Sequence, residues 1–237
     1  MTEASSISTL DSTESLNGIL ESSKQVCQEE ESEVKHECST YEMFAEELEI
    51  IKRFPTPSSE EIEKRKVALG KKNHKFSLIL DLDCTLIYSS PINSENSSFA
   101  LKIRPYARQL LKEISEYYEI IIFSAAEANY VQTIVNVLDK ERKYVSGILT
   151  REHCICIGDE YYIKDLRIIA DRKLDEMLIV DDNIFSFAFQ IGNGIPVTEY
   201  GGDAEDKELS HLISYLITMS KETELVEANR KNIGLVA

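Results

Sequence analysis

The chain has 237 residues, 43% of them hydrophobic, and a formal net charge of -16. That length holds one domain of moderate size plus tails, with enough apolar residues for a core. The charge argues against nonspecific nucleic-acid binding through a global basic field, and no apolar run approaches the ~20 residues needed to span a bilayer.

Residues 1–40 are rich in Ser, Thr and Glu and poor in aromatics, so they read as a disordered acidic tail. Hydroxyls beside acids, as at Ser8 and Ser12, allow phosphorylation by acid-directed kinases, and a solvated tail is the simpler reading. Residues 41–74 read as a helical and basic linker. Phe44, Leu48 and Ile51 recur at helical spacing, Pro55 and Pro57 end that segment, and Ser58-Ser59-Glu60-Glu61 predicts the cap of a second short helix through Leu69. The basic stretch Lys64 to Lys75 reads as a charged helix and linker, with a nuclear-import or phosphate-attracting patch as the sharper alternative.

From Phe76 onward, strand and helix patterns alternate. Strands are predicted at Phe76–Leu80, Phe99–Ile103, Ile120–Phe123, Tyr144–Leu149, Tyr161–Ile163, Met177–Val180 and Ile195–Val197. Helices are predicted at Pro105–Tyr118, Glu127–Leu138 and Glu205–Met219. Continuous apolar runs separated by helices argue a mainly parallel sheet covered on both faces. A domain over 75–220 and a polar, fraying tail over 221–237 complete the expected organisation. Five cysteines, Cys27, Cys38, Cys84, Cys154 and Cys156, lack zinc-finger spacing and read as reduced thiols. Cys154 and Cys156 read as half-buried strand residues on one face, and no histidine has catalytic spacing.

The chemistry gathers where strands end. Asp81-Leu82-Asp83-Cys84-Thr85 follows the first apolar run, and Asp81, Asp83 and Thr85 would share a side of an extended chain. An Asx-type turn is the plain reading of that stretch. The functional one is a pair of carboxylates suited to Mg2+, which takes oxygen ligands. Ser124 follows Ile120–Phe123, Lys164 follows Tyr161–Ile163, and Asp181-Asp182 ends Met177–Val180. Ligands in open α/β sheets bind beyond the carboxyl ends of strands, so these residues together make a phosphoryl-transfer site.

These words resemble the haloacid-dehalogenase superfamily, with its Asp-x-Asp-x-Thr signature. More closely they resemble the small phosphatases acting on the RNA polymerase II C-terminal domain, also called NLI-interacting-factor-like. The resemblance is carried by Leu80 to Leu86, Ile103-Arg104-Pro105, Phe123-Ser124-Ala125, Arg151-Glu152, Tyr162 to Leu166, Leu178 to Asp182, and Asn193 with Ile195-Pro196-Val197. It implies a three-layer fold with a small insertion and no large cap domain. It implies a Mg2+-dependent phosphoserine/phosphothreonine protein phosphatase with Asp81 as nucleophile and Asp83 as general acid/base. Mg2+ would be held by Asp81, the Asp83 backbone carbonyl, Asp181 and Asp182, and the phosphoryl group by Ser124 and Lys164. Thr85 would order the loop and stand with the phosphate-binding residues. Arg151 and Arg104 match basic positions of the family: substrate contact is the reading for Arg151, and a salt bridge is an equal alternative for Arg104. A phosphorylated protein, the polymerase tail among the candidates, is the implied partner, with the nucleus (alternatively the cytoplasm) as the compartment.

This sequence departs from the family at several points. Ser124 stands for a usual Thr, Asp182 for the Asn of the small phosphatases, and Cys84 for a common Glu. The segment Ser89 to Phe99 is short where relatives build a hydrophobic pocket that reads substrate. Two other readings stay open: a small-molecule phosphatase, and a catalytically weak phosphatase-like binding module.

Overall fold

In this computed structural model the described residues are 43–93, 98–158 and 160–234. The predicted acidic tail, with Ser8, Ser12, Cys27 and Cys38, lies outside them. The order of elements is α1 (Ala45–Ile51), α2 (Ser59–Arg65), β1 (Phe76–Leu80), β2 (Ile87–Asn93), β3 (Ser98–Ile103), α3 (Ala107–Ile114), β4 (Tyr118–Phe123) and α4 (Ala128–Leu138). There follow β5 (Val145–Leu149), β6 (Ile155–Ile157), β7 (Tyr161–Ile163), β8 (Met177–Asp181), β9 (Gly194–Pro196), α5 (Glu208–Met219) and α6 (Leu225–Asn232).

A five-stranded sheet in the order β5-β4-β1-β8-β9 has parallel pairing throughout. Every residue of β1, β4 and β8 is buried, which explains why their apolar runs are continuous rather than alternating. Successive side chains still take opposite faces. Leu78, Leu80, Ile120, Ile122, Leu178 and Val180 pack with α3, α4 and α5, while Ile79, Ile121, Phe123, Met177 and Ile179 pack toward α1 and α2. The expected three-layer α/β architecture is therefore the one observed. The insertion is a small antiparallel hairpin, β2 with β3, and β6 with β7 forms a second one. No helix among the described residues is long and apolar enough to cross a membrane.

Register places the site. Leu80 is level with Ile122 on one side and Val180 on the other, so Asp81, Phe123-Ser124 and Asp181 emerge along one edge. The amide of Asp81 donates to the carbonyl of Val180 at 3.0 Å, extending that row by one residue.

Local signals hold in several places. Ser58 and Glu61 form a reciprocal capping box at the start of α2. Helix α3 is shorter than Pro105–Tyr118, because Tyr118 already belongs to β4 and is buried with its hydroxyl donating to the Leu216 carbonyl. Gly194 is required by a close approach: a Cβ there would come within 2.2 Å of the Phe187 ring.

Two expectations need correction. The segment from Lys221 onward does not fray as a whole, since α6 docks with Leu225 and Asn229 fully buried. Asn229 accepts from the Tyr215 hydroxyl and donates to the carbonyls of Gly192 and Gly194, and that polar pattern hid a packing face. Phe185 and Phe189 lie on 3-10 turns that meet in a kink at Phe187. Phe187 enters the core, while Phe185 joins Phe54 and Tyr161 in a half-buried aromatic cluster. Cys154 and Cys156 do not share a face: Cys154 is buried before β6 and Cys156 is exposed.

Leu225→Ala is expected to lower unfolding free energy by about 2–5 kcal/mol, the cost of a core truncation. A loss within about 0.5 kcal/mol in chemical denaturation, as for a surface change, would return this segment to a tail.

Candidate active site

The carboxyl edge of the sheet opens into a cleft of about 330 Å³. Asp81, Asp83, Ser124, Arg151, Lys164 and the Asp181–Asn183 turn contribute to its lining. Apart from Thr85 and Arg104, the site residues expected from sequence thus converge on one opening.

At its centre is Lys164, only 2% exposed, with its ammonium 2.5 Å from Asp81 Oδ1 and 2.6 Å from Asp181 Oδ2. The lysine reaches this point because its backbone amide donates to the Ser186 carbonyl, tying the end of β7 to the turn after β8. Burial disfavours the charged ammonium, but Asp181 and Asp81 outweigh it and raise its pKa, so it stays protonated. Asp181 shows the converse balance. Burial and the Asp81 carboxylate raise its pKa to about 7, against the pull of Lys164 and the Asn183 amide.

Asp81, Asp181 and Asp182 each place a carboxylate oxygen within 4.8 Å of the others. Asp182 is raised by burial and by Asp81, with the Thr85 hydroxyl opposing. Asp83 lies outside this triad. Its Oδ1 accepts from the Tyr130 hydroxyl at 2.5 Å, and burial raises its pKa while that phenol lowers it. A triad of hard oxygen donors with one buried ammonium leaves a surplus of negative charge. That donor set fits a divalent cation of the Mg2+ type.

Thr85 sits beneath the cleft rather than in its wall. It is fully buried, donates 2.8 Å to Asp182 Oδ1, lies 3.3 Å from Asp81 Oδ2, and accepts from the Asp182 amide. Its hydroxyl is thereby engaged with the acids on both sides of the turn. Ser124 does line the cleft, 1% exposed, with its Oγ accepting from the Ala126 amide at 3.1 Å.

Arg151 is exposed at the rim. It donates to the Ala125 carbonyl, pairs with Glu127 at 3.0 Å and lies over the Tyr162 ring. Arg104 is elsewhere. Its guanidinium is fully buried, forms a two-bond pair with Asp206 and donates to the Thr85 carbonyl. The salt-bridge alternative is thus the one the geometry selects, and a substrate contact through Arg104 is not available. Cys84 takes a left-handed φ of 61° in the turn between the aspartates and Thr85. Burial, Asp182 and Glu199 push its thiol up to about 12, so it is a packed thiol rather than a thiolate.

Sequence reasoning missed Tyr130, in the first turn of α4. The available signal was an aromatic one turn into the helix that follows a strand with a functional end.

A cleft of acids around a lysine at strand ends defines an α/β protein built for anionic or metal-bound ligands. The family model described as "NLI interacting factor-like phosphatase" matches residues 76–227, and the chain belongs to that family. It is 34% identical over 176 residues to CTD small phosphatase-like protein 3 of Caenorhabditis elegans, covering 68% of this chain and 61% of that one. It is 36% identical over 171 residues to CTD small phosphatase-like protein 2 of Dictyostelium discoideum, covering 65% and 30%. Carboxy-terminal domain RNA polymerase II polypeptide A small phosphatase 1 of Homo sapiens is 27% identical over 177 residues, covering 69% and 67%. The matched part thus spans less than two thirds of the length of the first two relatives.

The Arg104–Asp206 pair carries a pH signature. Arg104 holds Asp206 below its ordinary value of 3.8. A depressed folded pKa means the contribution is present above the ordinary value and lost as pH falls through the folded one. Asp206→Asn should therefore lower stability near pH 7, with the gap to the parent closing below about pH 4 in denaturant titrations at several pH values. A gap that stays constant down to pH 2 would sink this account.

Proposed function

We propose that the chain is a Mg2+-dependent phosphoserine/phosphothreonine protein phosphatase working through an aspartyl-phosphate. The observation that carries this reading is the Lys164 ammonium between Asp81 and Asp181, at the centre of an open cleft that also holds Asp83 and Ser124.

Asp81, Asp182 and Asp181, with the Asp83 backbone carbonyl, would hold Mg2+, which when bound offsets the negative charge that nucleophile and phosphoryl group share. Asp182 is the better direct ligand of its pair, because both oxygens of Asp181 are engaged by Lys164 and the Asn183 amide. Asp81 attacks phosphorus as the bond to the substrate's serine or threonine oxygen breaks, and that oxygen takes a proton from Asp83. Water then attacks the phosphorus of the aspartyl-phosphate and gives its proton to Asp83. Inorganic phosphate leaves and the Asp81 carboxylate returns. Lys164 and the Ser124 hydroxyl hold the phosphoryl oxygens, the positioning work that dominates phosphoryl transfer. Arg151 at the rim meets the polypeptide around the phosphorylated residue. Retention of a hydroxyl at Ser124 keeps the donor that the usual Thr would supply.

Two features support a protein substrate. The insertion is a hairpin rather than a cap domain, so the cleft stays open to a chain. The names of relatives such as the human small phosphatase point to the RNA polymerase II C-terminal domain, which we propose as a substrate, with the nucleus as the compartment and the cytoplasm as its alternative. We also propose residues 75–220 as the catalytic part, preceded by the linker and the acidic tail.

Purified protein should hydrolyse p-nitrophenyl phosphate only with Mg2+. Folded Asp81→Asn should lose roughly 10³-fold or more. Turnover that survives chelation or this substitution would sink the mechanism. Phosphoserine peptides should exceed sugar phosphates and nucleotides in kcat/KM, and the reverse order would favour the small-molecule phosphatase. A phosphopeptide bound by well-folded protein without turnover would favour the binding module.

A further inference from the structure

The acid–base residue of this mechanism is held from outside the signature motif. Asp83 reaches the cleft wall but stands apart from the triad of Asp81, Asp181 and Asp182. What holds it there is Tyr130, whose hydroxyl lies 2.5 Å from Asp83 Oδ1 and 3.3 Å from Ser89 Oγ. A phenol has one proton. The shorter contact takes it, so the Tyr130 oxygen accepts from Ser89 while it donates to Asp83. Ser89 belongs to β2, in the hairpin that follows the loop carrying Asp83, and Tyr130 to the first turn of α4.

We propose that Tyr130 is a positioning residue for Asp83, fixing one carboxylate oxygen so that the other faces the leaving group, and that Ser89 ties this arrangement to the hairpin. This inference rests on the phosphatase reading above. The physical case is one of choice between donors. Without a partner, a carboxylate beside Asp81 turns away from that like charge or joins the acids around a cation, and in either pose it cannot hand a proton to the substrate oxygen. A lysine or arginine in place of the phenol would hold Asp83 but cancel its charge. A neutral O–H fixes its direction and leaves it able to exchange a proton. The phenol is half-buried in the first turn of a helix, so its ring is anchored by the fold and not by substrate.

The test is a double-substitution cycle on p-nitrophenyl phosphate at enzyme concentrations high enough to follow the slow turnover of Asp83→Asn, which lacks the base of the second step. Tyr130→Phe keeps the ring and its packing. In the parent it should lower kcat on the order of ten-fold with KM within two-fold, a part of the 10²–10⁴ that acid–base catalysis supplies. In the Asp83→Asn background the same change should cost less than about two-fold, because a residue acting through Asp83 has nothing left to position. Equal losses in both backgrounds, or a raised KM with kcat unchanged, would overturn the proposal while leaving the phosphatase reading intact. Absence of any turnover by the folded parent protein would overturn both.

Discussion

One buried ammonium organises this molecule. Lys164 is almost wholly removed from water and is charged, a state that costs several kcal/mol of desolvation unless partners compensate. Asp81 and Asp181 are those partners, each within 2.6 Å. Their placement follows from the register of two neighbouring parallel strands whose last residues fall level at one edge. Removing either acid would leave the lysine under-compensated, and removing the lysine would leave facing carboxylates to repel one another. The strand register, the turn after β7 and the turn after β8 therefore serve one electrostatic arrangement.

A second set of contacts keeps the acids aimed. The loop after β1 is pinned from several sides. The Thr85 hydroxyl bridges toward Asp81 and Asp182, Arg104 donates to the Thr85 carbonyl, and the Tyr200 amide donates to the Cys84 carbonyl. Arg104 in turn rests on Asp206, just before α5. A segment 100 or so residues downstream thus braces the signature loop. The left-handed turn at Cys84 is affordable only under such bracing, since a non-glycine residue there is held against its intrinsic preference.

The legible part of the fold and site was what short-range pattern encodes. Continuous apolar runs announced β1, β4 and β8, and the residues ending them announced the acids, Ser124 and Lys164. The illegible part depends on partners distant in sequence. Arg104 looked like a substrate contact or an ion pair, and only the approach of Asp206, 102 residues away, decides between them. Thr85 shared a predicted side with two aspartates, yet its hydroxyl is satisfied by Asp182, 97 residues on. Helix α6 was hidden because its buried contacts include an asparagine, and binary patterning scores that residue as solvent-facing. The aromatic alternation at Phe185 to Phe189 has the period of a strand, but those residues form 3-10 turns that meet in a kink at Phe187, whose ring enters the core.

Charge balance also bears on what can approach the cleft. Asp81, Asp83, Asp181 and Asp182 face one buried cation, and Arg151 at the rim is already paired with Glu127. A phosphoryl dianion entering that field meets repulsion unless a divalent cation offsets it. Asp182, a second carboxylate directly after Asp181, enlarges the deficit, and burial with the Asp81 charge pushes its pKa upward. The same surplus of negative charge that makes the cleft hostile to a bare anion strengthens its hold on a cation. Under the proposed reading, affinity for an anionic substrate is then conditional on a bound cation. At the rim, Arg151 lies over the Tyr162 ring, a cationic and aromatic surface outside the acidic centre.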